Sequence, residues 1–364
     1  MYRGLNSFRA FAFLAVFAYH CKLFTPGYLG VQAFFVLSGF LLTPILIDTK
    51  KTLPPRSFFV NFFGRRALRI FPLSYLYLLL ILLICLLIIN TKNYSGVREI
   101  NLFIKQIPWA LTYAYDFFHA SRLYEHNYFL THFWSLAVEE QFYLLWPFLI
   151  FFVNQKHFKA LSLIIIFLGP VLRLLITIVS QSGGFPFLGQ PIDLVIYVLP
   201  FSHIDAFAMG GYFALYQTSD KTNIQTLVLL YCSTLLGYVS QYIPTGQIDI
   251  LSFGYREFLR DQYIWGYSLA NFIFAKIIVQ IKDGKFFPLV INNSFLEYLG
   301  KISYGLYVFH YPVIWLIGEY NPSMPRIGIA LISFLITLVI SSISYEIFEK
   351  RFLGMKDKFF SKSK

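Results

Sequence analysis

Two adjacent carboxylates, Glu139 and Glu140, lie inside the apolar stretch His132-Phe-Trp-Ser-Leu-Ala-Val-Glu-Glu-Gln-Phe-Tyr-Leu-Leu-Trp-Pro147, which stays apolar to Val153. Such a run has the length and composition of a membrane helix. An ionisable group at that depth costs at least about 2.5–3.5 kcal/mol, so both should face a protein interior or a wet cavity, with function as the default reading. Helical spacing sorts their directions. Ser135, Glu139 and Tyr143 recur at i, i+4 and i+8, with His132 three residues before Ser135, so these four share a stripe. Glu140 points about a third of a turn away, so Glu139 is the candidate acid/base and Glu140 is expected to matter less. The plain alternative is a structural carboxylate satisfied by a neighbouring helix.

A partner for Glu139 is found in the first apolar run. Arg9 marks its near-surface end, and His20, eleven residues on, lies about 16 Å deeper, close to a bilayer midplane. Glu139 sits roughly 10 Å in from His132 at the opposite surface, so the two meet if their helices pack. A carboxylate beside a histidine fixes its tautomer and stabilises the imidazolium that forms, which is a general-base arrangement. A histidine alone on an apolar helix would more often be a satisfied core residue. Cys21, next to His20, faces elsewhere.

Three arginines, Arg65, Arg66 and Arg69, enter the third apolar run from the expected cytoplasmic side, with Arg65 and Arg69 on one helical face. Guanidiniums hold phosphates bidentately, yet anchoring by lipid head groups accounts for Arg65 and Arg66 equally well. Other polar residues inside apolar runs are Arg173, His203, Asp205, Tyr304, Tyr307 and His310. Arg173 and Asp205 read as a buried structural pair, because leaving either alone is costly. His310, just before Pro312, reads as lying near the outer end of its helix and open to water. Gly30, Ser38 and Gly39 read as close-packing positions.

The elements that carry these residues follow from composition. The 364 residues are 57% hydrophobic and only 13% charged, far from the roughly 25% charge of a soluble domain. The mean hydropathy of +0.61 agrees. An all-α polytopic membrane protein is expected, with about ten transmembrane helices at 8–24, 27–47, 68–90, 133–153, 158–180, 196–216, 224–243, 262–281, 296–318 and 326–348. The net charge of +12 is grouped in short loops between apolar runs, the pattern of topology determinants and not of nucleic-acid binding. The segment 48–67, the turn 154–157, the link 282–295 and the tail (Lys350, Arg351, Lys356, Lys358, Lys362, Lys364) fall on one side, so both termini are expected to be cytoplasmic. The opposite loop 91–132, aromatic and weakly amphipathic from Leu102, reads as an external cap on the membrane. Residues 1–350 form one membrane domain and 351–364 a basic cytoplasmic tail too short for a second domain. Cys21, Cys85 and Cys232 read as core hydrophobes with no metal pattern. The first run has no small-residue cleavage site after it and is expected to stay in the mature chain. No repeat, P-loop or G-x-S-x-G occurs.

These residues resemble the acyltransferase 3 family of membrane O-acyltransferases. The likeness is carried by Arg9 with His20, Gly30-Val-Gln-Ala-Phe-Phe-Val-Leu-Ser-Gly-Phe40, Arg65-Arg-Ala-Leu-Arg69 with Pro72, Phe133-Trp-Ser-Leu-Ala-Val-Glu-Glu-Gln-Phe-Tyr143 with Trp146-Pro147, Asp205 with Gly210, and Ser303-Tyr304-Gly305-Leu-Tyr307 with His310. It implies O-acylation of a cell-surface polysaccharide, such as lipopolysaccharide, or its lipid-linked precursor, by a multi-pass protein of a bacterial inner membrane. It implies acetyl-CoA as cosubstrate, no metal, a catalytic role for His20, importance for Glu139, and donor use by Arg65, Arg66 and Arg69. Arg9, Ser135, Tyr143, Arg173, Asp205, Tyr304 and His310 would support the site. His203 stands where the pattern leads one to expect Arg beside Asp205. Succinyl transfer remains open beside acetyl transfer, and a glycan exporter remains open as well, since proton-coupled exporters also bury His, Glu and Arg. Some relatives carry a fused esterase-like domain that this chain does not reach.

Overall fold

The computed structural model describes residues 4–89, 97–217, 223–255 and 262–360. Residue 90 of the expected helix 68–90, residues 91–96 of the expected cap, and Lys362 and Lys364 of the expected tail lie outside the described residues. Among those described there are helices and no strand, only an isolated bridge between Ser121 and Leu188.

Among the described residues, seven helical segments are long and apolar enough to cross a membrane: Thr25–Thr52, Pro55–Leu87, Phe133–Phe152, Gln155–Gln181, Ile224–Thr245, Gln262–Lys282 and Arg326–Lys356. A bent pair, Ile192–Val198 with Pro200–Tyr216, makes an eighth if counted as one span. The expected ten runs are all helical, but three are interrupted or short. Helix α1 (Leu5–His20) is only 16 residues, about 24 Å, because the chain leaves it at Cys21 and turns through Lys22 at φ 58°. The run expected at 196–216 is α8 (Ile192–Val198) and α9 (Ile204–Tyr216), bent by 70°. Pro200 is the cause, since it pushes Leu199 out of the helical region to ψ 138°. The run expected at 296–318 is α13 (Ser294–Lys301) and α14 (Ser303–Tyr320), interrupted at Ile302.

Two compact units divide the chain. The first holds Met1–Asp48, Ile150–Pro186 and Pro191–Ser303. Here α1 and most of α2 (Gly30–Thr52) pack with α7 (Gln155–Gln181), α9, α11 (Gln262–Lys282) and α13; α10 (Asn223–Thr245) and the short α12 (Pro288–Ile291) complete it. Helices α2 and α9 touch backbone to backbone: a Cβ on Gly39 would lie 2.0 Å from the Phe207 carbonyl oxygen, and one on Gly210 2.0 Å from that of Val36. These are the close approaches that small residues permit. The start of α1 is capped by a residue almost 300 positions away, Glu297 of α13, whose carboxylate accepts from Gly4 N (2.8 Å) and Asn6 Nδ2 (3.0 Å).

The second unit holds Thr49–Leu149, Phe187–Gln190 and Tyr304–Lys364. Its longest helix, α3 (Pro55–Ile89), begins at a proline suited to a first turn and runs 35 residues, carrying all three arginines inside it. Most of α6 (Phe133–Phe152) and nearly all of α14 join it, with α15 (Arg326–Ser344), the π-helical turn Tyr345–Glu349 and α16 (Lys350–Phe359) following one another without a break. The expected basic tail is thus helical to Phe359, and α16 packs on α3. Cys232 on α10 is exposed, not a core residue, whereas Cys21 and Cys85 are buried.

The expected cap contains α4 (Val97–Leu111) and α5 (Tyr115–Ala120). Internal polar bonds hold it together. Asn127 Nδ2 donates to the Glu99 carbonyl (2.9 Å), and Tyr115 OH donates to Gln106 (2.6 Å), whose amide donates in turn to the Glu125 carbonyl (2.8 Å).

Candidate functional site

The stripe expected on α6 is present, and each member has a partner. Tyr143 OH donates a short hydrogen bond to Glu139 one turn earlier. The hydroxyls of Ser135 and Tyr307 hydrogen-bond each other, and Tyr307 also donates to the His132 carbonyl (3.1 Å). His132 Nε2 bonds the Val308 carbonyl at 3.0 Å. The stripe therefore joins α6 to α14, leaving Glu139 held by Tyr143 in a fixed pose.

Glu140 behaves differently. Its Oε1 is buried with no hydrogen-bond partner among the described residues. It interacts electrostatically with Glu139, Arg66, Tyr75, Tyr113 and Tyr304. Periodicity assigned Glu140 to the less important face, and nothing in the α6 pattern alone could reveal that α3, α14 and the α4–α5 turn close around it.

The three arginines have separate surroundings. Arg65 Nη1 donates to the carbonyls of Phe360 (2.9 Å) and Lys356 (3.4 Å), capping the end of α16. Phe360 fits there because residue 64 is glycine; a Cβ would lie 2.1 Å from its ring. Arg66 lies over the Tyr143 ring at 5.6 Å and among Glu139 and Glu140. Arg69 interacts electrostatically with Glu349, which the π-helical turn carries into the interior. Insertions of this kind are frequent at functional sites. Tyr304 OH donates to the Ile70 carbonyl (2.8 Å), tying α14 to α3 one turn from these charges.

His310 is not open to water. It is fully buried, its Nδ1 2.7 Å from the Tyr307 carbonyl and its ring 5.6 Å from that of His132. Because α14 starts at Ser303, His310 falls seven residues into the helix instead of near the outer end of one begun at 296.

In the first unit, Arg173 and Asp205 are both fully buried and paired through two parallel bonds, at 3.2 and 3.0 Å. Arg173 Nε also donates to the Ile264 carbonyl (2.9 Å), and Ser268 on α11 donates to Asp205. All polar valences are met, which fits the structural role expected. His203 is satisfied on both nitrogens, by the Tyr197 carbonyl (2.9 Å) and Gln32 (2.8 Å). Arg9 donates to Asn6 Oδ1 at 2.7 Å. His20 is the last residue of α1, half-buried, its ring 5.2 Å from that of Tyr19. The expected run 8–24 continued past His20, whereas α1 ends with it. His20 and Glu139 belong to different units.

Outside the spans, burial strongly shifts several cap residues, Asp116 and His119 among them. Asp116 on α5 is inaccessible to solvent and receives the Gln141 amide on both carboxylate oxygens (3.0 and 3.1 Å); desolvation nevertheless pushes its pKa up to about 7. Gln141 is the residue after Glu140, so α5 is fastened to the carboxylate-bearing turn of α6. No sequence spacing linked the two.

A multi-pass helical protein with charged groups buried inside its helices is the class that this fold and these clusters define. The chain belongs to the acyltransferase family whose model is described as "Acyltransferase domain", which matches residues 2–346. It is similar to the O-acetyltransferase OatA of Staphylococcus aureus, 28% identical over 95% of this chain and 56% of that protein. It is also similar to the peptidoglycan O-acetyltransferase OatA of Listeria monocytogenes, 29% identical over 98% of this chain and 58% of that one. The chain thus spans little more than half the length of these curated relatives. No solved structure matches.

Proposed function

We propose that the chain is a membrane O-acetyltransferase that moves an acetyl group from acetyl-CoA to a sugar hydroxyl of a cell-envelope glycan in a bacterial cytoplasmic membrane. The observation that carries this is the family match over residues 2–346, together with two carboxylates inside the spanning helix α6. The relatives' names make a cell-wall glycan of the peptidoglycan type the acceptor to test first. Surface polysaccharides, lipopolysaccharide and lipid-linked precursors follow, and succinyl-CoA is the alternative donor.

Within that function His20, neutral, takes the proton from the acceptor hydroxyl as it attacks the thioester; the C–S bond breaks, the imidazolium returns the proton to the leaving CoA thiolate, and Glu139 is the carboxylate proposed to favour the charged ring. The carbonyl end of α1 also favours the positive ring that forms. Donor phosphates bind on the cytoplasmic side near Arg65, Arg66 and Arg69. Arg69 is the strongest of the three, since Arg65 caps α16 and Arg66 stands among carboxylates. The competing route has His20 carry the acyl group itself.

Purified protein given labelled acetyl-CoA and glycan strands from cell-wall peptidoglycan should move label onto the glycan. His20→Ala should lower the rate by about 10²–10⁴ with donor binding retained. Glycan translocation in vesicles without any acetylation would establish the exporter instead. Label trapped on His20 in the absence of acceptor would replace direct transfer by the two-step route.

A further inference from the structure

The unpartnered Glu140 oxygen lies in the second unit beside a set of aromatic rings. Phe71 and Tyr113 stack at 5.5 Å and 28°, and Tyr75 packs edge-on to Tyr113 at 6.2 Å. Phe71 and Tyr113 are half-buried and Tyr75 is 38% exposed, so the group is open on one side. Tyr113 is held in place with unusual care. Its hydroxyl bonds Ser74 Oγ (2.7 Å), its carbonyl accepts from Gln141 (3.0 Å), and its backbone sits at φ 51°, a conformation that costs a bulky residue energy. Strain of that kind persists only where the surroundings impose it.

A buried acceptor without a donor costs about 1–3 kcal/mol, and native proteins leave few such groups. Arg66 moderates the charge of Glu140 but makes no hydrogen bond to Oε1. A belt of aromatic residues at a membrane surface would explain Tyr75 alone. It would not explain an unsatisfied carboxylate whose charge reaches three tyrosines and whose next residue, Gln141, donates to the Tyr113 carbonyl.

We propose that Glu140, Phe71, Tyr75 and Tyr113 form a carbohydrate subsite for the acyl acceptor. Glu140 Oε1 accepts a hydrogen bond from one sugar hydroxyl, and the rings cover the apolar face of the same sugar. A carboxylate binds a hydroxyl more strongly than a neutral acceptor does, and an aromatic face next to it selects a pyranose over water or lipid. Glu140 is a binding residue in this scheme, distinct from the His20 and Glu139 pair. The inference rests on the acyl-transfer reading.

The test is acetyl transfer to glycan strands from cell-wall peptidoglycan, with acetyl-CoA binding measured separately on the same preparations. Glu140→Gln should raise KM for the glycan by about 10- to 100-fold, the worth of a charge-assisted hydrogen bond, with acetyl-CoA affinity unchanged. Tyr75→Ala, at the exposed rim where folding is insensitive, should raise the same KM and leave donor binding as it was. An active wild-type protein whose two variants keep the wild-type glycan KM overturns the subsite alone, and so does a KM change matched by an equal loss of acetyl-CoA affinity. A wild-type protein that acetylates no glycan overturns the functional reading and the subsite with it.

Discussion

The buried Arg173–Asp205 pair and the Glu139–Tyr143 pair look alike in sequence, each a charge stranded in an apolar run, yet they make opposite demands. Arg173 and Asp205 satisfy each other and Ser268 completely. Removing one partner leaves an uncompensated charge in the interior, so Asp205→Ala should lower stability by about 3–5 kcal/mol, read as a large fall in melting temperature in detergent. A melting temperature within a degree or two of wild type would contradict the structural role. Tyr143→Phe deletes only the hydroxyl that holds Glu139, so it should cut activity while melting near the wild-type temperature. The Arg173–Asp205 pair was legible because opposite charges in apolar spans must find each other. His310 was misplaced because its depth was counted along a helix assumed continuous from 296. The surroundings of Glu140 were not legible because one helix's periodicity says nothing about what packs on its other faces.

Among the elements, α5 is fastened to α6 through Asp116 and Gln141. The Asp116 pKa is raised from its ordinary 3.8 to about 7, so the stabilisation is complete below the lower value and is lost as pH rises through about 7. Hydrogen exchange of α5 amides, corrected for intrinsic rates, should therefore accelerate progressively between about pH 4 and 7 and level off above that, and Asp116→Asn should flatten that dependence. An exchange profile identical in the variant would exclude the latch. At the other end of the chain's order, Glu297→Ala removes the acceptor for Gly4 N and Asn6 and should fray the first turn of α1, at a cost of about 0.5–2 kcal/mol. The helical runs themselves were readable from apolar length. Their ends were less so: apolar length placed the third run at 68–90, while the fold begins α3 at Pro55 and keeps long basic side chains inside the helix.

At the level of the whole molecule, the class and the family were legible, since 57% hydrophobic composition and motifs spread from Arg9 to His310 leave few alternatives. The number of crossings was not, because length and apolarity cannot announce a bend such as the one at Pro200. Orientation is open to direct measurement. With native cysteines replaced by alanine, Leu123→Cys, at an exposed cap position, should react with an impermeant maleimide on intact cells. Thr52→Cys, at the end of α2, should react only after permeabilisation; the reverse pattern would invert the expected topology. One contact also sets an order in time. The carbonyl of Phe360 that Arg65 binds is encoded 295 residues after it. At about 5–20 residues per second, a ribosome supplies that partner only about 15–60 s after Arg65 itself. For that interval the guanidinium must be held by water and lipid phosphate, so cells depleted of anionic lipid should insert α3 less faithfully than they later retain it.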